Sequence, residues 1–522
     1  MTAQPSIPLS NLAAQLPQAR ISGDVNDPDR IVCGITHDSR HVKPGDLFVC
    51  LVGASHDGHR FAAQAIDRGA AALLVNDGGL EKIGAVIPAG ALVLTVPDTR
   101  KALPTAACAL FCNPSQSMML IGITGTNGKT TTTRMIASIL RAAGMKVGTI
   151  GTLGTEIEGR AIPSEHTTPE SDQLQALLAQ MRDEGADAVV MEVSSHALAQ
   201  GRTDGIAFSA GVFTNLTQDH LDFHGTMGAY FGAKARLFAD YPVLYPRQDG
   251  MDFVAAINIS EWEGSYLVTL AQGEIVTFAL DDKPASLRAE DVRVKPDSTE
   301  FTAIYRAGAR AEGDGFSLPV LLPVGGAFQV GNALAAMSAC LGLGISWEKI
   351  IEGLASLSPI PGRFEAVITG DRGFSVVVDY AHTPDGLENL LRSARELDPA
   401  RILLVFGCGG DRDRAKRPIM GSLAARFADV AVVTSDNPRS EDAQAIIAEI
   451  VSGMAPCSNS GATTHIEPDR RAAIHLALSQ AEPGDIVLIA GKGHEDYQII
   501  GGQTLPFDDR QVAREWLAAE AR

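Results

Sequence analysis

Residues 121 to 133 read Ile-Gly-Ile-Thr-Gly-Thr-Asn-Gly-Lys-Thr-Thr-Thr-Thr, and no other stretch narrows the possible folds as far. The apolar run Met118 to Ile123 suits a buried strand, and it feeds a turn through Gly125 and Gly128. A helix is predicted to begin near Lys129. Backbone N–H groups at such a turn converge on an anion, and the helix N-terminus adds the positive end of its dipole. The loop segment Gly125, Thr126, Asn127, Gly128, Lys129, Thr130 and Thr131 is therefore a candidate nucleotide site. Lys129 can reach the β- and γ-phosphates, and the Thr130 hydroxyl suits Mg²⁺. The loop is a variant, because the glycine expected five places before Gly128 is Ile123, and Gly122 stands one place early. The motif implies ATP or a close relative.

At 522 residues the chain has room for roughly two to four domains with buried cores. Three units are predicted, at 1–110, 111–358 and 359–522. The first holds Asp38-Ser39-Arg40, a strand within Pro44–Leu51, a helix at Phe61–Arg68 and a strand at Ala71–Val75. The second continues from the phosphate loop through the strand Lys146–Ile150, a helix at 170–184 and the strand Ala188–Met191. The third opens at Pro359-Ile360-Pro361-Gly362, a linker composition. It alternates the strands Phe374–Val378, Ile402–Phe406, Val430–Thr434 and Ile486–Ala490 with helices near 384–396, 414–427, 441–453 and 468–481. Apolar strands alternating with helices imply an α/β fold with parallel sheets covered on both faces, and ligands at the C-terminal strand ends.

The net charge of −19 argues against a general nucleic-acid or anionic-membrane surface. An anionic substrate then needs a focused cluster of cations and N–H groups. The cysteines at 33, 50, 108, 112, 340, 408 and 457 are odd in number and scattered, as expected of reduced thiols in a cytoplasmic protein. The opening Met-Thr-Ala-Gln-Pro has no basic n-region before an apolar core, and no apolar run of about 18 residues occurs, so neither export nor membrane insertion is expected.

Two further segments carry chemistry. Glu192 directly follows the apolar strand, where P-loop enzymes keep a carboxylate for Mg²⁺. The loop Thr214 to His224 gathers Asp219, His220, Asp222 and His224, and precedes a helix in which Lys234 lies among apolar and aromatic neighbours. Burial would lower the pKa of that amine, and a neutral amine can react with CO₂ to give a carbamate, an oxygen ligand for Mg²⁺. The commoner state of such a residue is a helical lysine whose stem packs while its charge reaches water.

Gly122 to Thr130, Glu192-Val-Ser-Ser-His196, Asp219-His-Leu-Asp-Phe-His-Gly225 and Lys234 together resemble the Mur ligases, the ATP-dependent amide-forming ligases of peptidoglycan synthesis. Asn332, Pro361-Gly362-Arg363 and Asp379-Tyr380-Ala381-His382 follow in that family's order, so the resemblance spans the chain. It implies a UDP-binding α/β domain, a central P-loop ATPase domain and a C-terminal Rossmann-like domain. Asp436-Asn437-Pro438-Arg439 resembles the members that add meso-diaminopimelate, whereas members adding L-lysine typically lack the arginine. An Arg fork suits the extra carboxylate that distinguishes diaminopimelate from lysine.

Position by position, the resemblance implies that His37, Ser39, Ala54, Ser55, His56, His166, Thr167, Thr168, Ser194, Gln200 and Arg202 hold the UDP-muramoyl-dipeptide. Asn332, Arg363 and Asp379 join the phosphate loop as nucleotide contacts. Lys129, Glu192, His220 and Lys234 are the implied catalytic set, with Thr130, Glu192, His220 and carbamylated Lys234 serving two Mg²⁺ ions. Arg412, Asp436, Asn437, Pro438, Arg439, Gly491 and Glu495 match the diaminopimelate site. The family often has Asn where this chain has His166, and Asn-x-Asp-Asp where it reads Asn258-Ile259-Ser260-Glu261.

The implied reaction activates the D-glutamyl γ-carboxylate as an acyl phosphate and then forms the amide. The expected partners are small molecules alone, and a monomer is expected. His382 stands as either the base for the incoming amine or a structural hydrogen bonder. The competing readings are an L-lysine-adding ligase, a folylpolyglutamate synthase and a nucleotide-binding switch without ligase chemistry.

Overall fold

A computed structural model describes residues 5–23, 27, 29–53, 56–84, 86–88, 90–162, 166–281, 283–306, 315–455 and 462–519. Three large sheets follow one another along the chain. The first has five strands, in the order Arg20–Ser22, Val93–Val96, Ala72–Asn76, Asp46–Val49 and Gly34–Thr36. All its pairs are parallel except the one that Arg20–Ser22 makes with Val93–Val96. Leu47 and Val49 point into one layer of core and Phe48 and Cys50 into the other, so both faces are covered.

The central sheet has eleven strands. Seven run parallel: Val147–Gly151, Ala188–Glu192, Met119–Thr124, Ala210–Phe213, Val254–Asn258, Glu274–Ala279 and Leu287–Val294. Antiparallel hairpin strands extend both edges. The phosphate-loop strand sits between Ala188–Glu192 and Ala210–Phe213, and the register pairs Ile123 with Glu192 and Thr124 with Phe213. Three strand ends therefore finish level beside the loop. The alternation of β-strand side chains sends Ile121, Ile123, Val190 and Val212 to one face. There the helices Lys129–Ala142 and Phe328–Gly342 cover them. Leu120, Val189, Met191 and Phe213 fill the other face.

The third sheet has the order Glu365–Val367, Ser375–Asp379, Ile486–Ala490, Ile402–Phe406, Val430–Val433 and Thr463–Ile466, parallel except for the first pair. Its four inner strands match the sequence expectation to within a residue, because three are wholly buried apolar runs and Ser375–Asp379 has a buried Val376–Val378 centre. The helices Pro384–Arg395, Lys416–Phe427, Ala443–Met454 and Arg470–Gln480 fall where the alternation predicts. Among the described residues six cysteines are unpaired, and Cys112 is exposed. No helix among them is long and apolar enough to cross a membrane.

Candidate active site

The phosphate loop has the backbone its glycines permit. Gly125 and Gly128 adopt φ of +153° and +85°. A Cβ on Gly125 would meet the Thr214 hydroxyl at 1.9 Å, and one on Gly128 would meet Asn332 Oδ1 at 2.3 Å. Only glycine allows both the turn and this close approach. Gly128 caps the helix Lys129–Ala142, as expected, so the loop amides and the helix N-terminus open on the same space.

Lys129 folds back over the loop, donating to the carbonyls of Gly125 at 3.0 Å and Thr126 at 2.7 Å. Lys234 reaches the same Gly125 oxygen at 2.7 Å from the helix Met227–Ala239. It is 1% exposed and lies 4.5 Å from the centre of the Tyr230 ring. Burial, reinforced by Lys129, pushes the Lys234 amine well below its usual 10.5. The burial expected of this helix position is met, and its ammonium does not reach bulk water. Burial also lowers Lys129, opposed by Glu192 and Asp219.

Glu192 is 1% exposed and ends its strand against the loop. Its Oε1 accepts from the Thr130 hydroxyl at 2.9 Å and the Thr152 amide at 2.8 Å, and its Oε2 from the Thr152 hydroxyl at 3.0 Å. Arg363, arriving from the third unit, donates to the Thr130 hydroxyl at 3.2 Å and stacks on Tyr380 at 4.5 Å. Asn127 donates its side-chain amide to Asp385, which likewise belongs to the third unit. Thr131 is buried behind the loop, and Asn332 donates to Gln329 at 2.9 Å. Asp379 turns both oxygens onto backbone, accepting from the amides of Phe364 at 2.7 Å and Ala381 at 2.8 Å, so it braces the segment that carries Arg363.

His220 stands at φ +54°, with its ring edge-on to His196 at 4.8 Å. Burial lowers its imidazole pKa; Asp219 opposes this, while Lys129 and Lys234 add to it. The oxygens of Thr130 and Glu192 are the hard donors that Mg²⁺ prefers, and Mg²⁺ commonly takes one or two carboxylates together with substrate phosphates. Among the described residues no three His, Cys, Asp or Glu side chains converge as a ready cage. The donor set fits an ion that arrives with phosphate.

Where the first and second units meet, His37 donates its backbone amide to Asp172 at 3.0 Å and holds the same carboxylate through Nδ1 at 2.8 Å. Burial opposes the imidazolium, but the Asp172 hydrogen bond and charge outweigh it and raise the His37 pKa above 6.5. Ser39 is buried nearby in sequence. Glu170 links Arg100 to Arg202, whose guanidinium also donates to Gln200 at 3.0 Å and to the Thr168 carbonyl at 3.1 Å. The Thr168 hydroxyl donates to the Glu192 carbonyl at 2.9 Å and accepts the Ser194 amide at 3.1 Å. Thr167 lies 3.2 Å from the Thr152 hydroxyl, while His56 and His166 are exposed. Ala54 and Ser55 lie outside the described residues.

At the strand ends of the third sheet, Arg439 adopts φ +54°. Its amide donates to Ile499 at 3.0 Å, its carbonyl accepts from Gly501 at 2.9 Å, and its guanidinium donates to the Gly410 carbonyl at 2.7 Å. Arg412 is exposed on the neighbouring loop, and Gly409 lies against both guanidinium-bearing side chains. The Pro438 carbonyl accepts the Glu441 amide at 3.0 Å. Asn437 donates to Glu495 Oε2 at 2.9 Å, and Gly491 abuts Asp436. His382 ties Nδ1 to the Tyr380 carbonyl at 2.8 Å.

The structure thus brings together Lys129, Thr130, Glu192, Lys234, Asn332 and Arg363, and separately Asp436, Asn437, Arg439, Gly491 and Glu495. Sequence reasoning passed over Thr152, Asp172, Asp385 and Lys492, and it included Asn215 and Tyr380 in motifs without giving either a role. Asn215 accepts the Asn127 amide at 2.9 Å. A polar residue just after a buried strand, as at Thr152 and Lys492, was the signal available for two of them.

Comparison with known proteins gives a consistent result. The model described as "Mur ligase middle domain" matches residues 123–340, "Mur ligase, glutamate ligase domain" 362–493, and "Mur ligase family, catalytic domain" 32–110. The UDP-N-acetylmuramoyl-L-alanyl-D-glutamate--2,6-diaminopimelate ligase of Geobacillus thermodenitrificans (strain NG80-2) is 45% identical over 507 residues, covering 97% of this chain and 98% of the relative. The protein of the same description from Syntrophomonas wolfei subsp. wolfei (strain DSM 2245B / Goettingen) is 45% identical over 494 residues, 95% of this chain and 96% of its own. A solved structure of a ligase so described superposes with a TM-score of 0.67 at 32% identity, covering 99% of this chain and 100% of the other.

Proposed function

The chain belongs to the Mur ligase family, and from that premise we propose that it joins meso-diaminopimelate to the D-glutamyl γ-carboxylate of UDP-N-acetylmuramoyl-L-alanyl-D-glutamate, with ATP converted to ADP and phosphate. The observation that carries the reading is the meeting of three chain segments at one hydroxyl. Thr130 of the phosphate loop bonds Glu192 at 2.9 Å and receives Arg363 of the third unit at 3.2 Å. Such a junction suits a triphosphate held by one unit and finished by another. The units at 1–110, 111–358 and 359–522 would carry the UDP end, the nucleotide and the amino acid respectively.

Carboxylate and triphosphate repel, so the site must supply positive charge where they meet. Lys129, the loop amides and Arg363 do this from fixed positions. Thr130 and Glu192 would hold Mg²⁺, with His220 and Lys234 beside it; when bound, the ion neutralises phosphate charge. The γ-carboxylate attacks the γ-phosphorus, ADP leaves, and the amine then attacks the acyl carbon and displaces phosphate. Contacts across the unit boundaries, Asn127 to Asp385 and His37 to Asp172, favour a closed cleft that keeps water from the acyl phosphate.

Lys234 is suited to carbamylation. It is buried and its amine is held toward the neutral form that attacks CO₂, losing a proton as the N–C bond forms. A carbamate would turn a cation into an anionic oxygen donor. Arg439 supports diaminopimelate over L-lysine, since it offers a guanidinium for the second carboxylate.

The test measures phosphate release from ATP with the UDP-muramoyl-dipeptide and Mg²⁺, in the presence of meso-diaminopimelate, L-lysine or no amino acid. Release with tripeptide product only for diaminopimelate is expected. Equal use of L-lysine would sink the specificity, and ATP binding without any product would leave a nucleotide switch.

A further inference from the structure

Lys492 has no part in the reaction as derived, yet it is among the most completely buried charges in the protein, at 0% exposure. It follows the strand Ile486–Ala490 and points into the cluster of Asp436, Asn437 and Glu495. Its ammonium lies 3.0 Å from Asn437 Oδ1, 3.2 Å from Glu495 Oε2 and 3.5 Å from Asp436 Oδ1. Asn437 Oδ1 also accepts the Ile499 amide at 2.9 Å. Two donors on one oxygen settle which way the Asn437 amide faces, because its NH₂ could not occupy that position. The NH₂ is thereby aimed at Glu495 Oε2, where it donates at 2.9 Å. Lysine and asparagine thus converge on one oxygen of Glu495, and among the described residues none donates to Oε1.

We propose that Lys492 is the positioning residue of the amino-acid pocket: it locks Asn437 and Glu495 Oε2 so that Glu495 Oε1 receives an ammonium of the incoming amino acid. The inference rests on the functional reading above and extends it to a group that touches no substrate. A buried lysine between two carboxylates could equally be a fold brace that replacement by apolar groups leaves unharmed. The two roles differ in what moves. A brace changes the melting temperature and affects all substrates alike, whereas a positioning residue changes the apparent affinity for one.

The experiment compares Lys492→Met and Lys492→Gln with the full-length wild-type enzyme. KM is measured separately for the amino acid, for ATP and for the UDP-peptide, using whichever amino acid the wild type consumes. Lys492→Met is expected to raise the amino-acid KM by about tenfold or more while the other two stay within about twofold, with Lys492→Gln between. A cycle with Glu495→Gln guards against a general loss of fold. If Lys492 acts through Glu495, the double variant raises the amino-acid KM little beyond the worse single one. Multiplying effects, parallel rises in all three KM values, or an unchanged amino-acid KM would each overturn the proposal. A wild type that uses L-lysine overturns the diaminopimelate reading and leaves this one measurable; a wild type that consumes no amino acid overturns both.

Discussion

Lys129 and Lys234 at the phosphate loop turn to backbone carbonyls, whereas Lys492 in the third unit turns to Glu495, Asp436 and Asn437. Burial lowers the pKa of both loop lysines, so at that end of the cleft the charged form of each amine is disfavoured within the protein alone. At the other end Asp436 is drawn below its usual range. Burial works against its charge, but Arg470 and Lys492 outweigh burial. Arg470 is itself locked to Asp509, both at 0% exposure. The contrast matches the ligands proposed. A polyanion suits lysines that turn to carbonyls rather than to carboxylates, while a diamino acid bearing both signs needs fixed partners of both signs.

The sharpest way to break this comparison is Lys129→Ala. Turnover should fall by roughly 10³-fold or more, with circular dichroism unchanged, because the ammonium serves charge that grows in the transition state. Near-normal turnover would remove the phosphate-loop assignment. Lys234→Ala should be almost as damaging, and a short carboxylic acid should restore part of the activity by supplying the missing carbamate oxygens. Lack of rescue, together with no dependence on bicarbonate, would count against the modification.

Lys234→Met separates stability from function. In the native protein the amine has a pKa below 10.5, so between that folded value and 10.5 the unfolded chain binds more protons, and wild-type stability rises with pH. The methionine variant, without ligand or CO₂, should therefore melt higher than wild type near neutral pH, by about 1 kcal/mol in stability. Its advantage should shrink as pH climbs toward 10.5. A variant that melts lower at neutral pH would show the ammonium to be well compensated.

At the balanced end, Arg439→Ala should weaken use of diaminopimelate by about 2–4 kcal/mol in kcat/KM and leave the ATP KM nearly unchanged. Equal losses for both ligands would deny it a specificity role. A small effect is expected at the seam between the first two units. The His37 pKa is raised, so its contribution to stability is whole below about 6.5 and fades as pH rises through the folded value. His37→Ala should lower the melting temperature at pH 6 more than at pH 8.5, by about 1 kcal/mol in stability. A difference of the opposite sign would show that Asp172 does not favour the imidazolium.

Much of this was legible in the chain. The strands Met119–Thr124, Ala188–Glu192 and Ile402–Phe406 are apolar runs buried on both faces, a pattern that survives any change in surroundings. Glu192 could be placed because it ends such a run. Asp385 could not: its partner Asn127 is 258 residues away, and a lone aspartate after proline carries no periodic signal. Asp172 likewise reads as a first-turn helix acid until the first unit brings His37 to it. Asp379 was expected to contact the nucleotide; in the structure both its oxygens instead accept from the backbone amides of Phe364 and Ala381.

The Gly-rich turn and the helix after it are what sequence alone determined, since both are local; that Thr214 and Asn332 press against its glycines was decided by tertiary packing. Tertiary structure decided the charge balance. How far the Lys234 amine is stripped of its proton, and which oxygen of Glu495 stays open, depend on groups packed from distant segments. Desolvation and hydrogen bonding act through space rather than along the chain.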